Sequence, residues 1–250
     1  MPDFLSIQER LSSVLSLIHA ACRRAGRNPD EVHLMAVSKT HPAEAIAAAF
    51  QAGVRLFGEN RVQEFQQKSS DLKVSGIGVK GVDAGKQQLA EVHLIGHLQS
   101  NKAAKAAEIF SGMDTVDSLR IAQRLNDAAM RLERRIPVLL EIKLSEEETK
   151  TGLLPDSREL SELLERLPGL HHLTTRGLMT VAPLDENPVT ARTCFRTLRK
   201  LRDQLATQHP QLDFGELSMG MSGDFEIAIE EGSTLVRIGT AIFGTRPKPA

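Results

Sequence analysis

Three short stretches hold the residues best suited to chemistry. The first, His33-Leu34-Met35-Ala36-Val37-Ser38-Lys39-Thr40, is an apolar run that ends on a lysine. Such a run reads as a strand buried on both faces, as in a parallel sheet. A lysine at its carboxyl end can point into a pocket above that sheet. The second stretch, Ser218-Met219-Gly220-Met221-Ser222, and the third, Arg237-Ile238-Gly239-Thr240, each close a short strand pattern. Glycines there allow close backbone approach, small hydroxyls donate hydrogen bonds, and helix starts present N–H groups, which together suit a phosphate. Each stretch also has a plainer reading. A lysine at a strand end is usually solvated, because lysine is almost never fully buried unless paired. Gly220, Gly223 and Gly239 could simply make tight turns. The elements between the stretches decide whether they meet.

Those elements alternate. Apolar spacing predicts a helix over 3–25, closed by Gly26, then strand 32–38, helix 42–50, strand 54–57 and helix 61–68. Residues 69–86 carry two serines and Gly76, Gly78, Gly81 and Gly85. They read as a surface loop, with a flexible glycine-rich part at 74–86. Strand 92–96, helix 100–109, strand 113–117, helix 118–133 and strand 138–142 follow. Helix 156–166, strand 173–179, helix 188–207, strand 214–218, helix 224–230 and strand 235–238 complete the pattern, with 245–250 as a frayed tail. Eight strands alternating with helices imply parallel pairing through right-handed crossovers. Count and length fit one domain over 1–250, a TIM-type (β/α)8 barrel with an extra N-terminal helix. That helix could cover the gap left where no long helix follows the last strand. An open doubly wound sheet is the alternative.

Other motifs resemble chemistry without supporting it. Gly76-Ile77-Gly78-Val79-Lys80-Gly81 matches GxGxxG, but no good strand precedes it, and Asn101 stands where an acid would be needed. Gly85-Lys86 lacks the remaining residues of a P-loop. His93 and His97, four apart along a predicted strand, would lie about 13 Å apart, too far for one metal. His171-His172 has no companion ligands nearby, so no metal is expected. There is no GxSxG elbow. Arg131, Arg134 and Arg135 read as a solvated helix face.

Bulk composition narrows the function. A formal net charge of −1 argues against a broad basic field for nucleic acid. No run of about 18 apolar residues suggests a membrane span. Two distant cysteines, Cys22 and Cys194, and no leader pattern point to a reducing cytoplasm.

In a parallel barrel, function gathers at the carboxyl ends of the strands, and phosphates commonly bind after strands 7 and 8. Lys39, Gly58-Glu59-Asn60, Gly96-His97, Met179, Met221-Ser222 and Gly239-Thr240 all fall at such ends. A lysine facing a phosphate anchor across a barrel mouth suits pyridoxal 5′-phosphate (PLP) held as a Schiff base. The segments LMAVSKT, RLFGENRVQE, HLIGHLQSNK, RGLM and LSMGMSGDFEIAIEEGSTLVRIGTAIFG together resemble the pyridoxal phosphate homeostasis protein family, itself similar to the barrel of alanine racemase. The resemblance covers roughly residues 4–246. It implies PLP on Lys39, phosphate contacts from Ser222, Gly239 and Thr240, Arg237 near the pyridine ring, and Asn60 and Met221 in the pocket. The 74–86 segment, Val92 and Gly223 depart from the pattern without touching these residues.

The resemblance implies a cofactor carrier or buffer in intracellular PLP homeostasis; PLP-requiring apoenzymes are the expected partners, and a cytoplasmic monomer is expected. The alternative is a PLP-dependent amino-acid racemase. A two-base racemase needs an acid/base opposite the lysine, which is a tyrosine in alanine racemase, and this chain has no tyrosine. An arginine beside the pyridine nitrogen would also weaken the ring as an electron sink. His97 or Cys194 are the remaining candidates for a second base. A partner-binding scaffold is a third class, which no coiled coil or exposed apolar run supports.

Overall fold

The computed structural model describes residues 4–83, 85, 88–145, 147, 151–185 and 187–244. Among these residues the strands, in chain order, are β1 (His33–Val37), β2 (Leu56–Glu59), β3 (Ile77–Val79), β4 (Gln88–Leu94), β5 (Gly112–Val116), β6 (Ile136–Glu141), β7 (Leu173–Met179), β8 (Glu216–Ser218) and β9 (Leu235–Ile238). Every pairing between them is parallel. Eight close a ring: β1 pairs β2, β2 pairs β4, the order continues through β9, and β9 returns to β1. The result is a closed (β/α)8 barrel of the TIM type, as the alternation predicted.

The ninth strand corrects the sequence reading. Residues 74–86 do not form one featureless loop. The third helix runs from Val62 to Val74, past the predicted end at 68, and Gly76 (φ 82°) turns the chain into β3. β3 pairs the first half of β4, Ile77 opposite Gln88 and Val79 opposite Ala90, while β2 takes the second half. Leu72, Ile77 and Val79 are buried, and their burial orders the segment. Residues 84, 86 and 87 lie outside the described residues, as does the predicted tail at 245–250.

Helices α1 (Phe4–Arg24), α2 (Ala43–Gln51), α3 (Val62–Val74), α4 (Ala103–Ile109), α5 (Leu119–Arg131), α6 (Arg158–Arg166), α7 (Pro188–Gln208), α8 (Phe225–Glu230) and α9 (Thr240–Phe243) follow the strands around the outside. α5 illustrates the local logic. Ser118 caps its start by accepting from the Ile121 N–H, and Ile121, Ala122, Leu125, Ala128 and Ala129 form its buried stripe. α9 is a single turn, and α1 packs against both α8 and α9, with Leu11, Val14, Ile18 and Cys22 buried. No helix among the described residues is long and apolar enough to cross a membrane.

Arg134 is a second correction. It follows α5 and is half-buried, with its guanidinium donating to the carbonyls of Ala107 and Phe110 at the end of α4. Burial pushes its pKa down. The open carbonyls of a helix end attract a cation, so this arginine joins two helices where a solvated face was expected.

Candidate functional site

Strand alternation assigns each residue a side of the barrel wall. In β1, Ala36 joins the outer core under the helices. Met35 faces inward, because a Cβ on Gly58 would meet its sulfur at 2.8 Å and Ile95 Cδ1 at 2.9 Å. Val37 continues the inward series, and Lys39 follows in the turn after β1, half-buried at the mouth. Ser38 continues the outward series. Its hydroxyl donates to Glu59 Oε1 at 2.7 Å, behind the wall.

On the other side of β1 lies β9. Its inward Arg237 is only 4% exposed. Arg237 Nη1 donates to Ser218 Oγ at 2.7 Å and Nη2 to the Thr180 carbonyl at 2.8 Å. Burial draws its pKa down, while Asp114, Asp224 and Glu141 act to keep the proton. The next residues form the predicted cradle. A Cβ at Gly239 would sit 3.2 Å from the Val37 carbonyl oxygen, so glycine keeps backbone exposed beside the lysine strand. Thr240 starts α9, where the first N–H groups have no partner inside the helix.

The loop after β8 is tied to β9. The Arg237 N–H donates to the Gly220 carbonyl at 3.0 Å. Gly220 has φ 95°, and a Cβ there would come 2.5 Å from Ala228 Cβ, so only glycine fits between this loop and α8. The Met221 N–H donates to Asp224 Oδ1 at 2.6 Å. Burial pushes the Asp224 carboxyl up, against that hydrogen bond. Ser222 is half-buried and Met221 is 38% exposed.

After β2, Asn60 passes so close to Gly96 that a Cβ there would lie 2.3 Å from the Asn60 carbonyl oxygen. Asn60 lines a cleft of about 390 Å³ with Gly96, His97, Gln99 and Lys102. His97 Nδ1 pairs with Asp117 Oδ2 at 2.9 Å. It also lines a cavity of about 210 Å³ with Glu141, whose carboxyl is raised by burial and hydrogen-bonded by the Thr151 hydroxyl. Cys194, by contrast, is buried on the core face of α7, which removes it as a base at the mouth.

All seven predicted residues therefore come from four neighbouring strands: Met221 and Ser222 follow β8, Arg237, Gly239 and Thr240 lie on or after β9, Lys39 follows β1 and Asn60 follows β2. This half of the ring holds an amine, a buried guanidinium, and two loops with small hydroxyls and helix-start N–H groups. That donor set fits a small ligand carrying an aldehyde and a phosphate. Sequence reasoning missed the residues behind the wall. Lys68 Nζ, on α3, donates to the Ser38 carbonyl at 3.0 Å, to both Glu59 oxygens at 2.9 and 3.1 Å, and to Glu64 at 2.6 Å. The one local signal was Glu64 and Lys68 four apart on a helix, which ordinarily marks a solvated pair. His93 and Asp114 were also missed as a pair. They meet inside the barrel at 2.8 Å, where burial disfavours the imidazolium but Asp114, joined by Glu91 and Glu216, outweighs it and the pKa is raised.

The family model for the alanine racemase N-terminal domain matches residues 15–247. The pyridoxal phosphate homeostasis protein of Escherichia coli K12 is 43% identical over 240 residues, covering 96% of this chain and 97% of its own. That of Haemophilus influenzae is 40% identical over 97% of both chains. The structure of PipY from Synechococcus elongatus, solved with PLP bound, superposes with a TM-score of 0.81 at 39% identity, over 95% of this chain and 100% of its own. Alanine racemase from Clostridium difficile shares the barrel alone: TM-score 0.68, 16% identity, and 58% of that enzyme's length matched. The chain thus belongs to the alanine racemase N-terminal domain family and, within it, to the pyridoxal phosphate homeostasis proteins.

Proposed function

We propose that this protein binds pyridoxal 5′-phosphate at the barrel mouth and serves as a non-catalytic carrier or buffer of it in the cytoplasm. The observation that carries the reading is the convergence of Lys39 with the Ser222 and Gly239-Thr240 loops after three adjacent strands, β1, β9 and β8. PLP supplies an aldehyde that condenses reversibly with primary amines. Lys39 offers the amine. Ser222, Gly239 and Thr240 would receive the phosphate, Arg237 would face the pyridine ring, and Asn60 and Met221 would line the pocket. The chain acts as a monomer, and PLP-requiring apoenzymes are the recipients. The cofactor-bound PipY structure and the names of the bacterial relatives support the ligand.

Two features support a carrier over an enzyme. The chain contains no tyrosine to act as a second base. A buried guanidinium near the ring nitrogen would oppose its protonation, and so its use as an electron sink. One observation favours the racemase-type reading: the His97–Asp117 pair at the mouth could move a proton. Borohydride reduction of the PLP-loaded protein and peptide mapping test the site, with the label expected on Lys39. A label on another residue refutes the assignment. Incubation with single-enantiomer amino acids in deuterated water tests the class. Little exchange at Cα is expected, and substantial exchange or racemisation overturns the carrier reading.

A further inference from the structure

We propose that Glu64, held by Lys68, is a positioning residue that fixes the turn carrying Lys39; the inference rests on Lys39 being the cofactor lysine. Lys39 occupies the second place of a four-residue turn. The His41 N–H donates to the Ser38 carbonyl at 3.1 Å and closes it. Thr40, the third residue, has φ 66°, in the left-handed region. Turns with positive φ at that place normally use glycine or asparagine, and a β-branched residue there is strained. Local sequence therefore disfavours the turn the chain adopts.

The clamp supplies the missing preference. The two common turn forms differ by a flip of the central peptide, here the bond between Lys39 and Thr40. That peptide's N–H, on Thr40, donates to Glu64 Oε1 at 2.6 Å. The same oxygen accepts from Lys68 Nζ, which also reaches the Ser38 carbonyl and the buried Glu59. Lys68 is 9% exposed at its side chain and Glu59 is fully buried, so the anchor is rigid. Both flanks of Lys39 are thereby tied to α3 through charge-assisted hydrogen bonds, the strong kind. On the far side, the His41 ring lies against Phe243 of α9, with centroids 5.1 Å apart, joining the lysine turn to the helix that starts after Gly239. Flipping the central peptide would re-aim the chain at Lys39 while leaving the barrel intact. Strain of this kind persists only where surroundings over-determine it, and it concentrates at functional sites.

The test uses Glu64→Ala, Glu64→Gln, and Glu64→Ala combined with Thr40→Gly, each in the full chain. PLP binding is titrated by absorbance, Thr40 amide exchange is followed by hydrogen–deuterium exchange, and thermal unfolding is recorded. Glu64→Ala should weaken PLP binding about tenfold, the scale of one lost charge-assisted hydrogen bond, and speed Thr40 exchange. Glu64→Gln keeps an acceptor and should retain most of the binding. Adding Thr40→Gly to Glu64→Ala should recover most of the tenfold loss, because glycine accepts positive φ without help. A purely structural role for Glu64 predicts no such rescue. Wild-type PLP affinity in Glu64→Ala, or failure of glycine to rescue, overturns the proposal. If borohydride mapping of the wild type misses Lys39, the cofactor assignment falls first; if it finds Lys39 and Glu64→Ala binds normally, only the clamp falls.

Discussion

Replacing Arg237 by methionine separates the structural and ligand-facing roles of the buried guanidinium. In the folded chain this side chain is 4% exposed and donates to Ser218 Oγ and to the Thr180 carbonyl. Hydrogen bonds from a charged donor contribute about 1.5–3 kcal/mol each, so the two together are worth about 3–6 kcal/mol. That figure is already net of the guanidinium's own desolvation, and Arg237→Met leaves the Ser218 hydroxyl and the Thr180 carbonyl without this donor. Stability of the PLP-free protein in urea should therefore fall by about 3–6 kcal/mol. PLP affinity should fall by roughly ten- to a hundredfold if the proposed charge-assisted contact to the ligand is lost with it. Arg237→Lys should not restore it, because one ammonium cannot serve two acceptors and the ligand with the geometry of a guanidinium. Absorbance titration measures affinity and urea unfolding measures stability. Unchanged PLP affinity in a stably folded Arg237→Met would refute the assignment of this residue to the ring. A stability loss of that size with PLP affinity unchanged would show instead that the guanidinium is only a strut between β7, β8 and β9.

Two further substitutions test the frame around the site. Gly177→Ala would drive a Cβ to 1.9 Å from the Glu216 carbonyl oxygen on β8, a backbone atom that cannot yield, so soluble yield should collapse or stability fall by more than about 4 kcal/mol. Gly58→Ala meets side-chain atoms, the Met35 sulfur at 2.8 Å and Ile95 Cδ1 at 2.9 Å, where Gly177→Ala meets backbone, and should cost about 1–3 kcal/mol in urea unfolding. The last prediction concerns acid. Glu231 is 4% exposed and bonded to Arg192 and Arg196. Burial alone would raise its pKa, but the two arginines outweigh that and lower it from the ordinary 4.5. A depressed carboxylate contributes stability that is fully present above the unfolded value and is lost as pH falls through the folded one. Glu231→Gln should therefore cost about 1–2 kcal/mol at pH 7, the flanking arginines being partly solvent-screened. The gap between variant and wild type should narrow as pH drops below 4.5. A gap that stays constant from pH 7 to about 3 would refute the linkage.

Much of the architecture was legible because it is written in local periodicity. Leu11, Val14, Leu15, Ile18 and Cys22 mark α1 by spacing alone; four of them are buried as that spacing requires, and Leu15, 39% exposed, falls outside the stripe. The apolar run before Lys39 and the glycine-hydroxyl loops were readable for the same reason. β3 was not. Its three residues include Gly78, and α3 before it carries the polar run Gln66-Gln67-Lys68-Ser69-Ser70-Asp71, which dilutes the helical period. Leu72 and Ile77 become apolar anchors only when β4 lies beside them. Arg134 likewise reads as one of three surface arginines until α4 ends beneath it.

Lys39 itself divides the two kinds of information. Its residue type, its place at a strand end and the two phosphate-suited loops far along the chain are properties of the sequence, as is the alternation that makes a barrel. Their meeting is not. β8 and β9 reach Lys39 only because ring closure pairs β9 with β1, a long-range contact to which no local pattern corresponds. The turn is a sharper case. A threonine after the lysine argues locally against positive φ, and the conformation is held by a carboxylate 24 positions away on a helix behind the wall. Local propensity involves neighbours a few residues apart, whereas burial, charge pairing and strain depend on which distant elements share the same space.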